Sequence, residues 1–477
     1  MPEALRPFSI SCFLALAIAA ALAILVFAGA RLSWGTPIFA NEHGLISGAF
    51  LFMAAITFLY DCRNPDWDAF SPFRLFYSTW FGVLALGCLR LTTAEPPLTA
   101  RFWLTAILGL LGFFVGGKLA LRGVASPHRT SLGRLRDDLN PKWRPTRALL
   151  LIGSLFLVGL LAFGYEWMKA GTVPLLADDP ETARFEFGVN SFVSRLVISL
   201  GLTTVLGYLG AVHLRKHRTL FLIIAAASPI PMVLMTTRVF ILTAVWMAVV
   251  LFHYGRRPMR PKVLLAVVLI AYPLAKIAVD VKRFQQSPTY NELLDRIEFP
   301  EKLRPFAPDY LYFSMTLRTL DYLTHLVPEE MPYSYGWYTA YPVRVFWTPR
   351  QGTGFRGRLD DLFWDRTGEI SPVASVTTSY MGVPYADFGF LGVLLFSVLF
   401  GWISVRVYES LRTEPSFWRA FLYAQVSFAI FWSVYANYLT LFDFYWNILI
   451  VGVVHRLAAA QQNAGDDRVH ASVAVSC

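Results

Sequence analysis

The sequence is poor in cysteine and in charge. Four cysteines stand among 477 residues. Cys12 and Cys88 fall in apolar runs, Cys62 in a short polar connection and Cys477 at the end, with no CxxC spacing. A disulfide framework and a thiolate metal site are therefore excluded. Charged residues make up 16% of the chain, too few to cover a soluble domain of this length. HExxH, Walker A and GxSxG are missing, and the acidic pairs Asp178-Asp179 and Asp360-Asp361 are adjacent rather than spaced. Gly352-x-Gly354-x-x-Gly357 matches a dinucleotide fingerprint but follows no hydrophobic strand. No cofactor, metal or nucleotide is expected, and no internal repeat or low-complexity tract is found.

What the chain has instead is apolar length. Hydrophobic residues reach 56%, and runs of roughly 17 to 23 of them recur, each able to cross ~30 Å of hydrocarbon as a helix. The fold class expected is an all-α polytopic membrane protein with about twelve transmembrane helices. The runs are Phe8 to Ala30, Gly44 to Tyr60, Phe73 to Leu91, Phe102 to Leu121, Ala148 to Met168, Ser191 to Val212, Thr219 to Met235, Val239 to Tyr254, Val263 to Val281, Val383 to Val405, Ala420 to Asn437 and Leu441 to Arg456. Pro229, Pro231 and the polar turn Thr236-Thr237-Arg238 divide the middle of this series, which predicts a helical hairpin there. The divisions follow as 1–280, nine spans; 281–382, a large polar loop; 383–457, three spans; and 458–477, a tail.

Basic residues concentrate in the connections 122–147, 213–218 and 255–262, whereas 32–43 and 92–101 hold almost none. Lysine and arginine are retained on the cytoplasmic side. Both termini are then cytoplasmic and the 281–382 loop lies outside, as on a bacterial inner membrane facing a periplasm. The net charge of +10 is mostly topology, with membrane lipids as partner, and the basic loops lack the interleaved aromatics of a nucleic-acid groove.

Several outward groups could carry chemistry. Arg184 follows the apolar turn Pro174-Leu175-Leu176 and could fork onto a phosphate at headgroup level. Arg238 stands between two apolar segments, where a guanidinium needs water, protein or phosphate. In the stretch Tyr310 to Val327, helical spacing puts Arg318, Asp321, Tyr322 and His325 on one side. They make either a solvated ion-pair face, or a base, His325, oriented by Asp321 with Arg318 holding an anion. Arg344, Arg350, Arg356 and Arg358 crowd beside Trp347, Phe355 and Trp364, a composition suited to a pyrophosphate and to stacking on sugars. Asp387 sits inside an otherwise apolar helix, as a general base or a structural partner. Glu166, Arg195 and Asp443 read as pairs within the bundle, as do Lys276 and Asp280.

Three stretches carry a family likeness. They are Thr237-Arg238-Val-Phe-Ile-Leu opening a span, Tyr335-Gly336 followed by Pro349-Arg350 in the large loop, and Tyr385-Ala-Asp387-Phe-Gly389-Phe-Leu-Gly392 opening the next span. With the topology, the chain resembles the O-antigen polymerases, the oligosaccharide repeat-unit polymerases, over roughly Pro174 to Val405. It departs from them at Val383-Pro384, where an acidic residue is common, and at Asp387, where asparagine is. The resemblance implies a metal-independent glycosyltransferase of GT-C-like fold. It would move a growing glycan from undecaprenyl diphosphate onto a lipid-linked repeat unit at the outer face, with a chain-length regulator as a further partner. It also implies roles: Arg184, Arg238, Arg350, Arg344 and Arg318 for diphosphates, Trp347 and Tyr385 for sugar, and Asp387, His325 and Asp321 for proton transfer. An O-antigen ligase and a transporter or flippase of lipid-linked oligosaccharide are the alternatives.

Overall fold

The computed structural model describes residues 42–122 (save 65, 93 and 94), 130–177, 191–263 (save 237 and 257), 288–344 and 377–459, with 183, 187, 266 and 359 as single positions. Among the described residues the regular elements are helices and no strand is formed. In chain order they are α1 (His43–Leu59), α2 (Pro72–Leu89), α3 (Ala100–Arg122), α4 (Leu132–Asp138), α5 (Pro145–Ala170), α6 (Ser191–His213), α7 (Arg218–Ala227), α8 (Pro229–Leu234), α9 (Arg238–Gly255), α10 (Pro288–Arg296), α11 (Ala307–Leu326), α12 (Tyr341–Arg344), α13 (Gly382–Thr413), α14 (Phe417–Trp432) and α15 (Phe442–Ala458). Among the described residues four helices are long and apolar enough to cross a membrane: 100–122, 145–170, 195–213 and 382–413. Shorter apolar helices cover 43–59, 218–234 and 239–255. The expected runs Phe8 to Ala30 and Val263 to Val281 lie almost wholly outside the described residues.

Two boundaries differ from the expected runs more widely than the rest, each for a visible reason. The run expected to reach Asn437 stops as helix at Trp432, because the next backbone pairs elsewhere: Tyr380 N–H donates to the Ser433 carbonyl at 2.7 Å and Ser379 N–H to that of Tyr435 at 3.1 Å. Conversely, α13 continues to Thr413, past Val405, since its polar end finds partners: the Tyr408 hydroxyl donates to Asp68 at 2.8 Å and Arg412 Nε to the Thr130 carbonyl at 3.0 Å. The expected break in the middle hairpin is present. α7 and α8 join at Ser228, and a turn through Thr236 (φ 54°) leads into α9.

The most extensive helix pair is α3 with α13. A methyl group on Gly116 of α3 would lie 1.8 Å from the Val398 carbonyl oxygen, so the backbones touch where only glycine fits. One apolar cluster joins α1, α2, α3, α11, α13 and α14 at one end of the bundle. A second packs the opposite end, from Trp67 and Phe70 through α4 and the near ends of α5, α6, α9, α13 and α15. The basic connections gather at that second end. Thr130 N–H bonds the Arg412 carbonyl at 2.8 Å, Arg144 N–H that of Ala458 at 2.8 Å, and the Arg256 guanidinium that of Val212 at 3.2 Å.

Candidate functional site

The polar groups of interest lie at the first end, where α11 and α12 cover the bundle. α13 opens there with a break: Phe388 (φ −145°, ψ 18°) and Gly389 (φ 62°, ψ −145°) leave the helical region, and Gly389 occupies a conformation open essentially to glycine alone. The break frees the backbone before it for pairing with 334–335. Ser334 N–H donates to the Ala386 carbonyl and Tyr335 N–H to that of Asp387, each at 3.1 Å. The Asp387 side chain, 0% exposed, completes the clamp. It accepts the Ser334 hydroxyl, Tyr338 N–H at 3.1 Å and Thr339 N–H at 2.8 Å. The buried charge is met by these turn donors and feels the nearby Arg344 guanidinium.

That clamp sets Arg344. Gly336 (φ 90°) turns the chain into α12, and the Arg344 guanidinium lies over the Trp337 ring at 3.5 Å from its centroid. Trp337 and Tyr335 are both exposed. α12 packs against α15, whose Asp443 pairs with Arg195 of α6 beside the Phe442 ring. The expectation of a bundle-interior pair is met here. Glu166 is buried as expected, but no pairing with Arg195 or Asp443 is formed. Arg238 opens α9, which packs on α6.

The second constellation is on α11. Its polar side is not a solvated face: Arg318 and Asp321 are both buried against the bundle. Arg318 donates to the Gly87 carbonyl at 2.7 Å and lines a cavity of about 10 Å³ with His43, Arg90 and Trp103, apart from Arg344. Such a volume is roughly that of one water. Asp321 accepts both donors of Thr99, the residue before α3: its N–H at 3.1 Å and its hydroxyl. The first helical bond, Trp103 N–H to the Thr99 carbonyl at 3.2 Å, marks Thr99 as the cap of α3. His325 Nε2 lies 3.2 Å from the Thr99 hydroxyl and 3.9 Å from Asp321. Burial pushes the Asp321 carboxyl up from its ordinary value, against the pull of Thr99, His325 and Arg318.

The structure thus joins Asp321 with His325 through Thr99, and Asp387 with the turn that carries Arg344. Tyr385 is buried, its hydroxyl donating to the Thr324 carbonyl at 3.3 Å, which leaves little ring surface to meet a sugar. Arg184, Trp347 and Arg350 lie outside the described residues. Thr99 and Trp337 escape a reading by local pattern, and Tyr335 enters it only through the Tyr335-Gly336 likeness. Thr99 meets Asp321 across 222 positions, and lone aromatics in a loop carry no periodic signal.

These elements define, among the described residues, an all-helical protein with helices of membrane-spanning length and, at one end, exposed Tyr335 and Trp337 over a buried Arg344. No family model, curated protein or solved structure matches the chain.

Proposed function

We propose that the protein is a polysaccharide polymerase of the O-antigen or exopolysaccharide type, with about twelve spans in a GT-C-like arrangement in a bacterial inner membrane. Both termini are cytoplasmic, and the end bearing α11 and α12 faces out. The observation that carries the reading is Arg344 stacked on Trp337 beside exposed Tyr335, in a turn pinned by buried Asp387, opposite the end that gathers the basic connections.

A guanidinium held on an aromatic plane suits a substrate that joins diphosphate to sugar. It can fork onto phosphate oxygens and take up charge as the leaving group departs. Exposed aromatic rings stack on pyranose faces. The reaction is one displacement. The oxygen of the acceptor hydroxyl bonds to the anomeric carbon of the donor glycan as the bond from that carbon to the diphosphate breaks. Undecaprenyl diphosphate leaves with the electron pair, and the hydroxyl proton passes to a base. Asp387 already accepts three donors, so His325, with 34% of its side chain exposed, is better placed to take that proton. Arg238 and Arg184 belong to the same outward surface in this reading, and Arg350 with Trp347 extends it.

The test is a gel of surface polysaccharide from a host lacking the gene, complemented with wild type or with Arg344→Ala. A single repeat unit on lipid A core in the null, restored to a ladder by wild type but not by Arg344→Ala, is the expected outcome. Long glycans left on undecaprenyl diphosphate with bare core would mean a ligase. Absence of any glycan at the outer face would mean a transporter.

A further inference from the structure

Thr99 stands between two titratable side chains of α11 and carries one hydroxyl proton. Both Asp321 oxygens accept from Thr99, Oδ2 from the N–H at 3.1 Å and Oδ1 from the hydroxyl. Both oxygens thus act as acceptors here, against the burial that pushes this carboxyl up. The Thr99 proton is thereby committed to Asp321, and Thr99 Oγ1 meets its other neighbour, His325 Nε2 at 3.2 Å, only with a lone pair. His325 must then donate through Nε2. In the neutral ring the proton sits on Nε2, and Nδ1 is the basic atom. Among the described residues nothing bonds Nδ1, nor is it a buried atom left without a partner.

We infer that Thr99 is a positioning residue: through the chain Nε2–H to Oγ1–H to Oδ1 it fixes the tautomer of His325, leaving Nδ1 as the nitrogen offered to solvent and substrate. The assignment deepens the polymerase reading and rests on it for its chemistry. In the displacement described above, the acceptor hydroxyl gives its proton to Nδ1 while its oxygen takes the anomeric carbon. The imidazolium so formed keeps Nε2–H on Thr99 and gains the field of Asp321 at 3.9 Å. Other charged groups near this end of α11 are Arg101, bonded to the Thr324 carbonyl at 3.0 Å, its partner Glu329, and Glu330, whose N–H donates to the Leu326 carbonyl at 2.8 Å, while Arg318 acts on Asp321 from the preceding turn.

Thr99 also has a second, structural role, and the test separates the two. As the cap of α3, Thr99 fastens the helix through its backbone N–H to Asp321. Thr99→Val keeps that bond and the side-chain volume and removes only the hydroxyl. Thr99→Ser keeps the hydroxyl. The measurement is 15N NMR of the full chain labelled at histidine, in detergent micelles near neutral pH, with the His325 signal assigned by its loss in His325→Gln. The expected wild-type and Thr99→Ser spectra show His325 protonated at Nε2 and bare at Nδ1, while Thr99→Val shows the two tautomers mixed. Glycan transfer by the purified protein is read alongside, with kcat falling about tenfold to a hundredfold in Thr99→Val at little changed KM, and Thr99→Ser near wild type.

A wild-type ring protonated at Nδ1, or a Thr99→Val spectrum like wild type, overturns the relay. A mixed tautomer in Thr99→Val with wild-type kcat overturns its part in the reaction. If the spectra change as expected and the wild-type protein transfers no glycan at all, the positioning by Thr99 stands and the polymerase reading falls.

Discussion

At the residue scale, Asp387 and Arg344 divide the work of one turn. An aspartate in an apolar helix reads in sequence as either a base or a structural partner, and the three donors it accepts favour the second. Asp387→Ala should orphan the N–H groups of Tyr338 and Thr339 and cost on the order of 3 kcal/mol. That loss is checked by thermal unfolding in detergent and by earlier proteolysis within 332–344. Asp387→Asn keeps one acceptor oxygen and should lose about half as much. Were Asp387 the base instead, Asp387→Asn would abolish transfer while leaving the melting curve near wild type. Arg344→Lys keeps the charge but loses the flat group that covers Trp337 at 3.5 Å. It should lower transfer about tenfold, an activation cost of about 1.4 kcal/mol, in membranes holding as much protein as wild type.

At the element scale, what was legible in the sequence is what local pattern controls. Apolar runs set helix length, so the run Gly44 to Tyr60 became α1 (His43–Leu59) and Ala148 to Met168 became α5 (Pro145–Ala170). The stretch Tyr310 to Val327 became α11 (Ala307–Leu326). The partners of the polar side of α11 were not legible. Spacing puts Arg318, Asp321 and His325 together, but nothing local says that Gly87 and Thr99 bury them. Gly389 was equally mute, since a glycine in an apolar helix fits a packing seam as well as a break. Gly116 is the seam case, and its neighbours make a clean test. Gly116→Ala must part α3 from α13 and should cost about 1–3 kcal/mol. Gly153→Ala in α5, where a methyl meets nothing within 4 Å, should leave the thermal midpoint unchanged or slightly raised.

At the scale of the whole molecule, the two ends of the bundle carry different kinds of polar group. The end with α11 and α12 exposes Tyr335 and Trp337 above the buried Arg344, Arg318, Asp321 and Asp387, and the opposite end gathers buried charge in a hub on the connection before α2. Asp68, 2% exposed, accepts the hydroxyls of Tyr254 and Tyr408 at 2.8 Å each and Phe70 N–H at 2.9 Å. His253 lies 3.3 Å from it, and Arg412 bonds the Tyr408 hydroxyl at 3.1 Å. This single carboxylate ties together the start of α2 and the ends of α9 and α13. Burial alone would raise its pKa, but His253, Arg412 and Tyr254 hold the carboxyl well below its ordinary value of 3.8. A carboxyl depressed in the folded state stabilises the fold fully above the unfolded value and loses that contribution as pH falls from there toward the folded one. Wild type should therefore lose thermal stability as pH drops below about 4. Asp68→Asn, about 3–5 kcal/mol less stable near neutrality for want of the charge facing His253 and Arg412, should lose less on further acidification. The two melting curves then converge toward low pH, and parallel curves would remove Asp68 as the anchor of that end. Transfer by the fraction of Asp68→Asn that remains folded should keep its KM, because the hub holds helices together at the end opposite the proposed glycan site.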